Sequence, residues 1–551
     1  MDSFDYIVVG AGSAGCVLAN RLTEDGRHTV LVVEYGGSDN SLFIRMPSAL
    51  SIPMNKARYN WFYQTEPEPN LNHRRLHTPR GKVLGGSSSI NGLVYVRGNP
   101  LDFESWHAAG ARGWAWQDVL PYFRRAETRA EGGDAYRGDA GPLHTNYGPL
   151  RNPLYRTWIE AGKQAGYPET ADCNGFQQEG FGRMDMTVQR GRRCSAAVAY
   201  LKPAMQRKNL EVRTHALAYK VEVEGARATR LRYCTKGHDV VVHARREVIL
   251  AGGPINSPQL LKLSGIGPGD ELRSLGIPVL HDRRGVGENL QDHLEFYFQL
   301  ACRQPVTLYA ATKPLAKARI GLRWLLFQDG PGASNHFESC GFIRSRPGIR
   351  WPDIQYHFLP LAVSYDGSTR VQGHGFQAHV GPMRSKSRGW VRLASADPRE
   401  KPRIRFNYMS HQDDWEDMRA CVRLTREIFA QPAFTPYRGE ELQPGGYVTT
   451  DAEIDAFLRD KVESAYHPCG TCRMGRVDDP MAVVDEDTRV IGIDGLRVVD
   501  SSIMPSITTG NLNAPTIMIG EKASDHILDR PKLPPSNQAF YLATNWATAQ
   551  R

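Results

Sequence analysis

The stretch Tyr6-Ile7-Val8-Val9-Gly10-Ala11-Gly12-Ser13-Ala14-Gly15, followed by Thr29-Val30-Leu31-Val32-Val33-Glu34, decides the fold class. Two short β-branched runs flank a segment, Ala14 to Leu22, that reads as a helix. A strand, a G-x-G-x-x-G turn, a helix and a second strand closed by an acid form the opening βαβ unit of a dinucleotide-binding sheet. The glycines let a pyrophosphate approach the backbone at the helix N-terminus, where unpaired amides and the macrodipole favour negative charge. Glu34, about twenty residues after the last glycine, is placed to accept hydrogen bonds from a ribose diol. Ala11 to Gly15 overlaps this turn and approaches the nucleophile elbow of a serine hydrolase, but it lacks that motif's first glycine. Hydrolysis is therefore the rival from another class.

Outward from this unit, Leu210 to Leu250 is rich in short β runs, and Glu247 to Leu250 leads into the glycines at 252 and 253. From about Glu295 to Glu463 the texture changes to aromatic and alternating stretches, with helical runs around Trp415 to Phe429 and Asp451 to Val462, which predicts a second lobe. Leu496 to Asp500 reads as a short buried strand and Pro515 to Leu528 as a helix with proline in its first turn. The proline-rich tail from Arg530 should wrap the surface.

The 551 residues leave room for several domains, and 41% hydrophobic with 23% charged residues is the balance of a folded globular chain. The net charge of +9 admits nucleic acid, an anionic membrane or an acidic ligand as partners. No basic stripe interleaved with aromatics supports nucleic acid. Nine scattered cysteines suggest no disulfide framework, and the opening MDSFDYIVVGAG puts charge and glycine where a secretory signal needs an apolar run, so a cytoplasmic location is expected. Cys469 and Cys472 form a lone C-x-x-C, whereas a zinc site needs four ligands, so no metal is expected.

Arg80 to Gly92 (RGKVLGGSSSING) and Gly253 to Gly267 (GPINSPQLLKLSGIG) resemble the two signature segments of the glucose-methanol-choline oxidoreductases. Gly285 to His293 (GVGENLQDH), His467 to Gly475 (HPCGTCRMG) and Gly510 to Lys522 extend the resemblance over nearly the whole chain. It implies an α/β fold: a Rossmann-like FAD-binding domain in three pieces (1–155, 195–294 and 465–530), with an inserted α+β substrate domain (156–194 and 295–464) built on an antiparallel sheet, and a C-terminal tail at 531–551. It places Gly10, Gly12, Ser13, Ala14, Gly15 and Glu34 on the dinucleotide, and Val221 beside the adenine. Val83, Asn91, Gly92, Leu93 and Val94 would line the flavin ring, Gly86 would let the backbone approach the cofactor closely, and Asp500, Ser501, Pro515 and Thr516 would complete the site. Ile90 stands where covalently flavinylated members carry histidine, and it has no nucleophilic atom, so non-covalent FAD is expected.

Taking a hydride from an alcohol carbon requires the hydroxyl proton to be withdrawn, and His467 with Asn511 match the family's catalytic pair. The resemblance is strongest to choline-oxidising members, which implies oxidation of choline to betaine aldehyde and on to glycine betaine. A quaternary ammonium calls for aromatic faces and a carboxylate. Glu295 matches the carboxylate, Trp61, Phe337 and Tyr466 the aromatic cage, and His357 an auxiliary histidine; Phe337 stands where such members usually carry a second tryptophan. Another alcohol is the same-chemistry alternative, and a non-catalytic flavin-binding protein the second from another class. An electron acceptor (a quinone, dioxygen or a carrier), peripheral contact with the inner face of the cell membrane and a homodimer complete the expected partners.

Overall fold

The computed structural model describes residues 2–363 and 373–551. Its first seven-stranded sheet runs in the order Leu210–Arg213, Val30–Val33, Ser3–Val9, His238–Leu250, Arg227–Thr235, Ala216–Glu224, with Leu496–Val498 also paired to His238–Leu250. Ser3–Val9, Val30–Val33, Leu210–Arg213, Leu496–Val498 and the second half of His238–Leu250 run parallel, in a register that brings Val9, Val33, Leu250 and Val498 to one edge. Ligands of open parallel sheets bind at the carboxyl ends of their strands. These strands are buried on both faces, which explains their unbroken apolar runs. The helices Ser13–Thr23 and Asn513–Ile527 pack together against the sheet.

The second seven-stranded sheet is antiparallel, in the order Arg438–Gln443, Leu294–Cys302, Gly375–Pro382, Ile354–Leu359, Ser339–Ile343, Gly180–Arg183, with Glu463–Ser464 also paired to Leu294–Cys302. Its strands alternate strictly. Phe296, Phe298, Leu300, Ile354, Tyr356, Phe358, Phe376, Ala378 and Val380 join one hydrophobic core, against which the helices Pro153–Gln164 and Gln412–Ala430 pack. The intervening Glu295, Gln299, Gln355, His357, Gln377 and His379 are also buried, on the other face. A sheet with one oily and one buried polar face is the wall of a site, because buried polar groups persist only where they are partnered.

The helix Pro314–Phe327 departs from this economy, since Trp324 is its one buried residue. No described helix is long and apolar enough to cross a membrane. The tail meets Gln117 and Phe176 through backbone hydrogen bonds, and the Arg344 side chain donates to its Ala549 carbonyl.

Candidate active site

One continuous cleft, about 2190 Å³ of empty space counted to its open mouth, starts at the carboxyl edge of the parallel sheet and ends at the polar face of the antiparallel one. At the sheet edge, Gly10 has φ +103°, and a Cβ there would lie 2.6 Å from the Ala251 carbonyl oxygen. Gly86, at φ +53°, brings the second glycine turn so close that its Cβ would fall 2.7 Å from Gly12 Cα. The helix Ser13–Thr23 has no side-chain cap and no acid in its first turn, so its amides are left for a ligand. Glu34 accepts from the amides of Ala11 (2.9 Å) and Gly36 (2.7 Å), and burial pushes its carboxyl above the ordinary range. A glycine cradle, a bare helix start and an edge carboxylate fit a pyrophosphate and a ribose, and the cleft's empty volume leaves room for a dinucleotide.

The far end is held by long-range hydrogen bonds. Asp500 accepts from the Gly253 amide (2.8 Å) and the Ser257 hydroxyl (2.6 Å), fastening the loop after Leu496–Val498 to the turn at 252–253. Arg193 donates to the carbonyls of Ile44 (2.9 Å) and Ser88 (3.2 Å) and to Asn91 Oδ1 (2.8 Å), clamping the segment that resembles the flavin-ring loop. Burial lowers its guanidinium to about 9. Sequence reading missed Arg193, which its basic surroundings disguise as surface.

The geometry fixes the protons of the central pair. His293 Nε2 lies 3.0 Å from the Met383 carbonyl oxygen, which can only accept, so His293 carries its proton there. Burial first holds this imidazole down to about 3, so its Nδ1 is a lone pair. His467 Nδ1, 3.1 Å away, must therefore donate to it, which leaves the lone pair of His467 on Nε2. That nitrogen receives Asn511 Nδ2 at 3.0 Å, while Asn511 Oδ1 lies 3.2 Å from both His357 Nε2 and Gln355 Nε2. Burial, then the nearby His293, His357 and Arg80, hold His467 well below the usual histidine range. Asp292 accepts from the His467 amide (2.7 Å), Tyr408 (2.6 Å) and Ser464, anchoring the backbone at His467.

Glu295, His357, Phe337, Trp61 and Tyr466 all line the same cleft. Glu295 accepts from His379 Nδ1 at 2.9 Å, and the Phe337 ring stands edge-on to both His357 (5.8 Å) and His379 (5.4 Å). Trp61 stacks instead between Tyr35 (5.0 Å) and Tyr63 (5.6 Å). Tyr466 takes a left-handed backbone (φ +66°), and its carbonyl accepts from Arg80.

Gly10, Gly12, Ser13, Ala14, Glu34, Gly86, Ile90, Asn91, Gly92, Val94, Asp500, Ser501 and Thr516 also line it. Gly15, Val83, Leu93, Val221 and Pro515 do not. Gly15 packs the helix onto Gly10, Val83 sits with Ile44, Tyr59 and Ile90, and Leu93 sits with Met186 and Val188. Pro515 lies inside a helix that begins two residues earlier than expected, and Asn513 and Thr516 face the cleft instead. Val221 belongs to the core and its amide donates to Ser264, while Ala216, Leu217 and Ala218 of the same strand line the cleft. His293, His379, Gln355 and Gln377 were not singled out, although the alternation of their strands marks the last three.

Ser13 donates to Asn513 Oδ1 (2.8 Å) rather than to a histidine, which removes the nucleophile elbow. Cys469 and Cys472 lie in the core, where burial pushes both thiols far up. No described group of three or more His, Cys, Asp or Glu residues is arranged to hold a metal ion.

The family model described as GMC oxidoreductase matches residues 4–295 with its N-terminal part and 385–520 with its C-terminal part. Oxygen-dependent choline dehydrogenase of Brucella ovis is 59% identical over 547 residues, 99% of this chain and 100% of that protein. The protein of that description from Rhizobium rhizogenes is 58% identical over the same shares. Among solved structures, pyridoxine 4-oxidase from Mesorbium loti superposes with a TM-score of 0.87 at 32% identity, covering 96% of this chain and 99% of that one. A formate oxidase superposes at 0.90 and 26% identity, covering 96% and 98%.

Proposed function

The chain belongs to the GMC oxidoreductase family, and from that premise we propose that it oxidises choline to betaine aldehyde, and the hydrated aldehyde on to glycine betaine, with FAD as cofactor. The carrying observation is that a buried carboxylate, Glu295, shares one cleft with a histidine whose Nε2 lone pair accepts from an asparagine amide. Bound FAD supplies the acceptor for the hydride that leaves the alcohol carbon. His467 Nε2 takes the hydroxyl proton, and its Nδ1 proton remains on the bond to His293. Asn511 Nδ2, which holds that lone pair in the free enzyme, turns to donate to the developing alkoxide. Glu295 faces the quaternary ammonium, with Phe337, Tyr466 and Trp61 giving apolar walls and water exclusion.

The flavin is held without a covalent bond, since Ile90 offers no nucleophile; acid precipitation should leave the yellow colour in the supernatant. Anaerobic titration of the purified protein with choline should bleach its flavin absorbance, and admitted air should restore it if dioxygen is an acceptor. A yellow protein bleached by butanol but not by choline would replace choline with another alcohol.

Peripheral contact with an anionic membrane surface is the finer partner reading, and the helix Pro314–Phe327 supports it. At 100° per residue Leu315, Leu322 and Leu326 fall within about 40° of one another, opposite the buried Trp324. They are 88%, 58% and 63% exposed. Arg319 and Arg323 flank them, at about 40° and 80° from Leu315 on the same wheel, Arg323 also pairing with Asp329. Trp324 Nε1 donates to the Gly191 carbonyl (2.7 Å) and Arg192 to Gln328 (2.8 Å), so the basic turn Arg190-Gly191-Arg192 sits at the helix end. At roughly 21 Å the helix falls short of a span of about 30 Å and suits lying in the interface plane. The basic side chains favour a bilayer over a second, equally basic copy.

A further inference from the structure

The short antiparallel pair Val188–Gln189 and Arg192–Arg193 turns through Arg190 and Gly191, at φ +48° and +70°. Asparagine, aspartate or glycine usually opens so tight a hairpin, whereas here the position holds a long cation. A Cβ on Gly191 would fall 1.7 Å from the Gln328 carbonyl oxygen, so glycine lets the turn seat against the end of the helix Pro314–Phe327. Beside this seam opens a separate pocket, about 1640 Å³ of empty space counted to its mouth. Arg45, Arg190, Arg192, Arg193, Lys202 and the exposed Phe327 line it, and no carboxylate does. Lys202 pairs with Asp39 (2.6 Å). None of the four arginines pairs with an acid among the described residues: Arg45 donates to Asn40 Oδ1 (2.6 Å), Arg192 donates to Gln328 Oε1 (2.8 Å), and the Arg190 side chain has no hydrogen bond.

Arg193 adds an independent sign of a ligand. It is 2% exposed, its Nε and Nη1 hold Ile44, Ser88 and Asn91, and its buried Nη2 has no hydrogen-bond partner. A buried guanidinium without a counter-charge is costly unless an anion compensates it. The helix turns its carboxyl end to the pocket, about half a negative charge, which four guanidiniums outweigh. We propose that this pocket is a phosphate site, and that it takes the headgroup phosphate of an anionic phospholipid. Guanidinium forks match phosphate oxygens, and Phe327 at the rim gives the first acyl carbons an apolar surface.

The choice of a lipid rests on the membrane reading, and the two fail separately. Calorimetry of the holoenzyme with dihexanoylphosphatidylglycerol, below the concentration at which it forms micelles, should show one molecule bound per chain. It should bind at least about tenfold more tightly than inorganic phosphate, because its acyl carbons cover Phe327. Combining Arg45→Gln with Arg192→Gln should weaken this binding at least about a hundredfold, a charge-assisted hydrogen bond being worth about tenfold or more. Choline oxidation and flavin absorbance should be unchanged. Arg190→Gln breaks no side-chain contact within the protein, so its loss of about tenfold carries the test if the double variant does not fold. Removing two charges outside the pocket, Lys220→Gln with Lys236→Gln, should leave the affinity within about twofold at physiological salt. Lipid binding that is absent, or that the arginine variants leave intact, would overturn the site. Equal affinity for lipid and inorganic phosphate would overturn the lipid as its ligand. Short-chain lipid bound by a protein that never partitions onto vesicles would sink the membrane contact and keep the site.

Discussion

In the proposed reaction His467 acts as a base by arrangement more than by identity. The Met383 carbonyl sets the proton on His293, His293 sets the proton on His467, and the cleft receives a lone pair. Replacing His467 by alanine should lower kcat by about 10²- to 10⁴-fold, the usual worth of a positioned base, with flavin absorbance retained. His293→Leu removes the acceptor for the Nδ1 proton and should cost about tenfold or more, because nothing then fixes which tautomer the neutral imidazole presents. His293→Gln can donate to Met383 and accept from His467 and should recover most of that loss; equal defects in both would reject the tautomer chain. The sign of the pH dependence follows from the lowered affinity of His467 for a proton. Protonation removes the lone pair, so the acid limb of kcat/KM belonging to this group should lie below pH 6.5, the ordinary histidine value. His467, Asn511 and Glu295 were legible because their motifs carry them. His293 lies within an equally recognisable segment, but its role depends on a carbonyl ninety residues away in the chain, which no local pattern announces.

Elements were legible where periodicity alone sets burial. The runs at Tyr6 to Val9 and Thr29 to Val33 and the helix after the glycine turn stand where the sequence puts them. Within the strand Ala216–Glu224, Ala216, Leu217 and Ala218 line the cleft while Val221 lies in the core, a distinction that no local pattern in the sequence draws. The helix Pro314–Phe327 was not foreseen, because its apolar residues do not mark a core-facing stripe. A helix of this length is marginal unless a partner buries one face, and here the leucines opposite Trp324 meet none of the described chain's core. Changing Leu315, Leu322 and Leu326 together to glutamine should lower partition onto vesicles of anionic phospholipid by at least about a hundredfold, since each buried leucine is worth about 1.5–3 kcal/mol. Choline oxidation in solution should be unchanged. Wild-type partition that neither added salt nor a zwitterionic bilayer weakens would reject the electrostatic half of the contact.

At the scale of the whole molecule, the cleft joins what the chain separates. Its wall draws on the glycine turn at Gly10, the loop at Gly86, the turn at Gly252 and Gly253, the polar sheet face at Glu295, and the segment from Asn511 to Thr516. The sequence made each piece recognisable but not their distances, which depend on side chains such as Asp500 and Arg193 that tie remote loops. A cofactor spanning such a cleft binds only when both sheets are in place, so its binding energy is also folding energy for the pair. Free FAD at about one hundred times its dissociation constant should add about 2.7 kcal/mol to the unfolding free energy. The transition should stay single, with near-ultraviolet ellipticity and flavin fluorescence changing together. Gly86→Ala tests the cause. Its Cβ would meet Gly12 Cα at 2.7 Å in a backbone conformation that alanine resists, forcing the two glycine turns apart. The variant should purify largely colourless and unfold at a temperature that added FAD no longer raises. A colourless variant that still unfolded in one step at the holoenzyme's temperature would mean the two sheets hold each other without the cofactor.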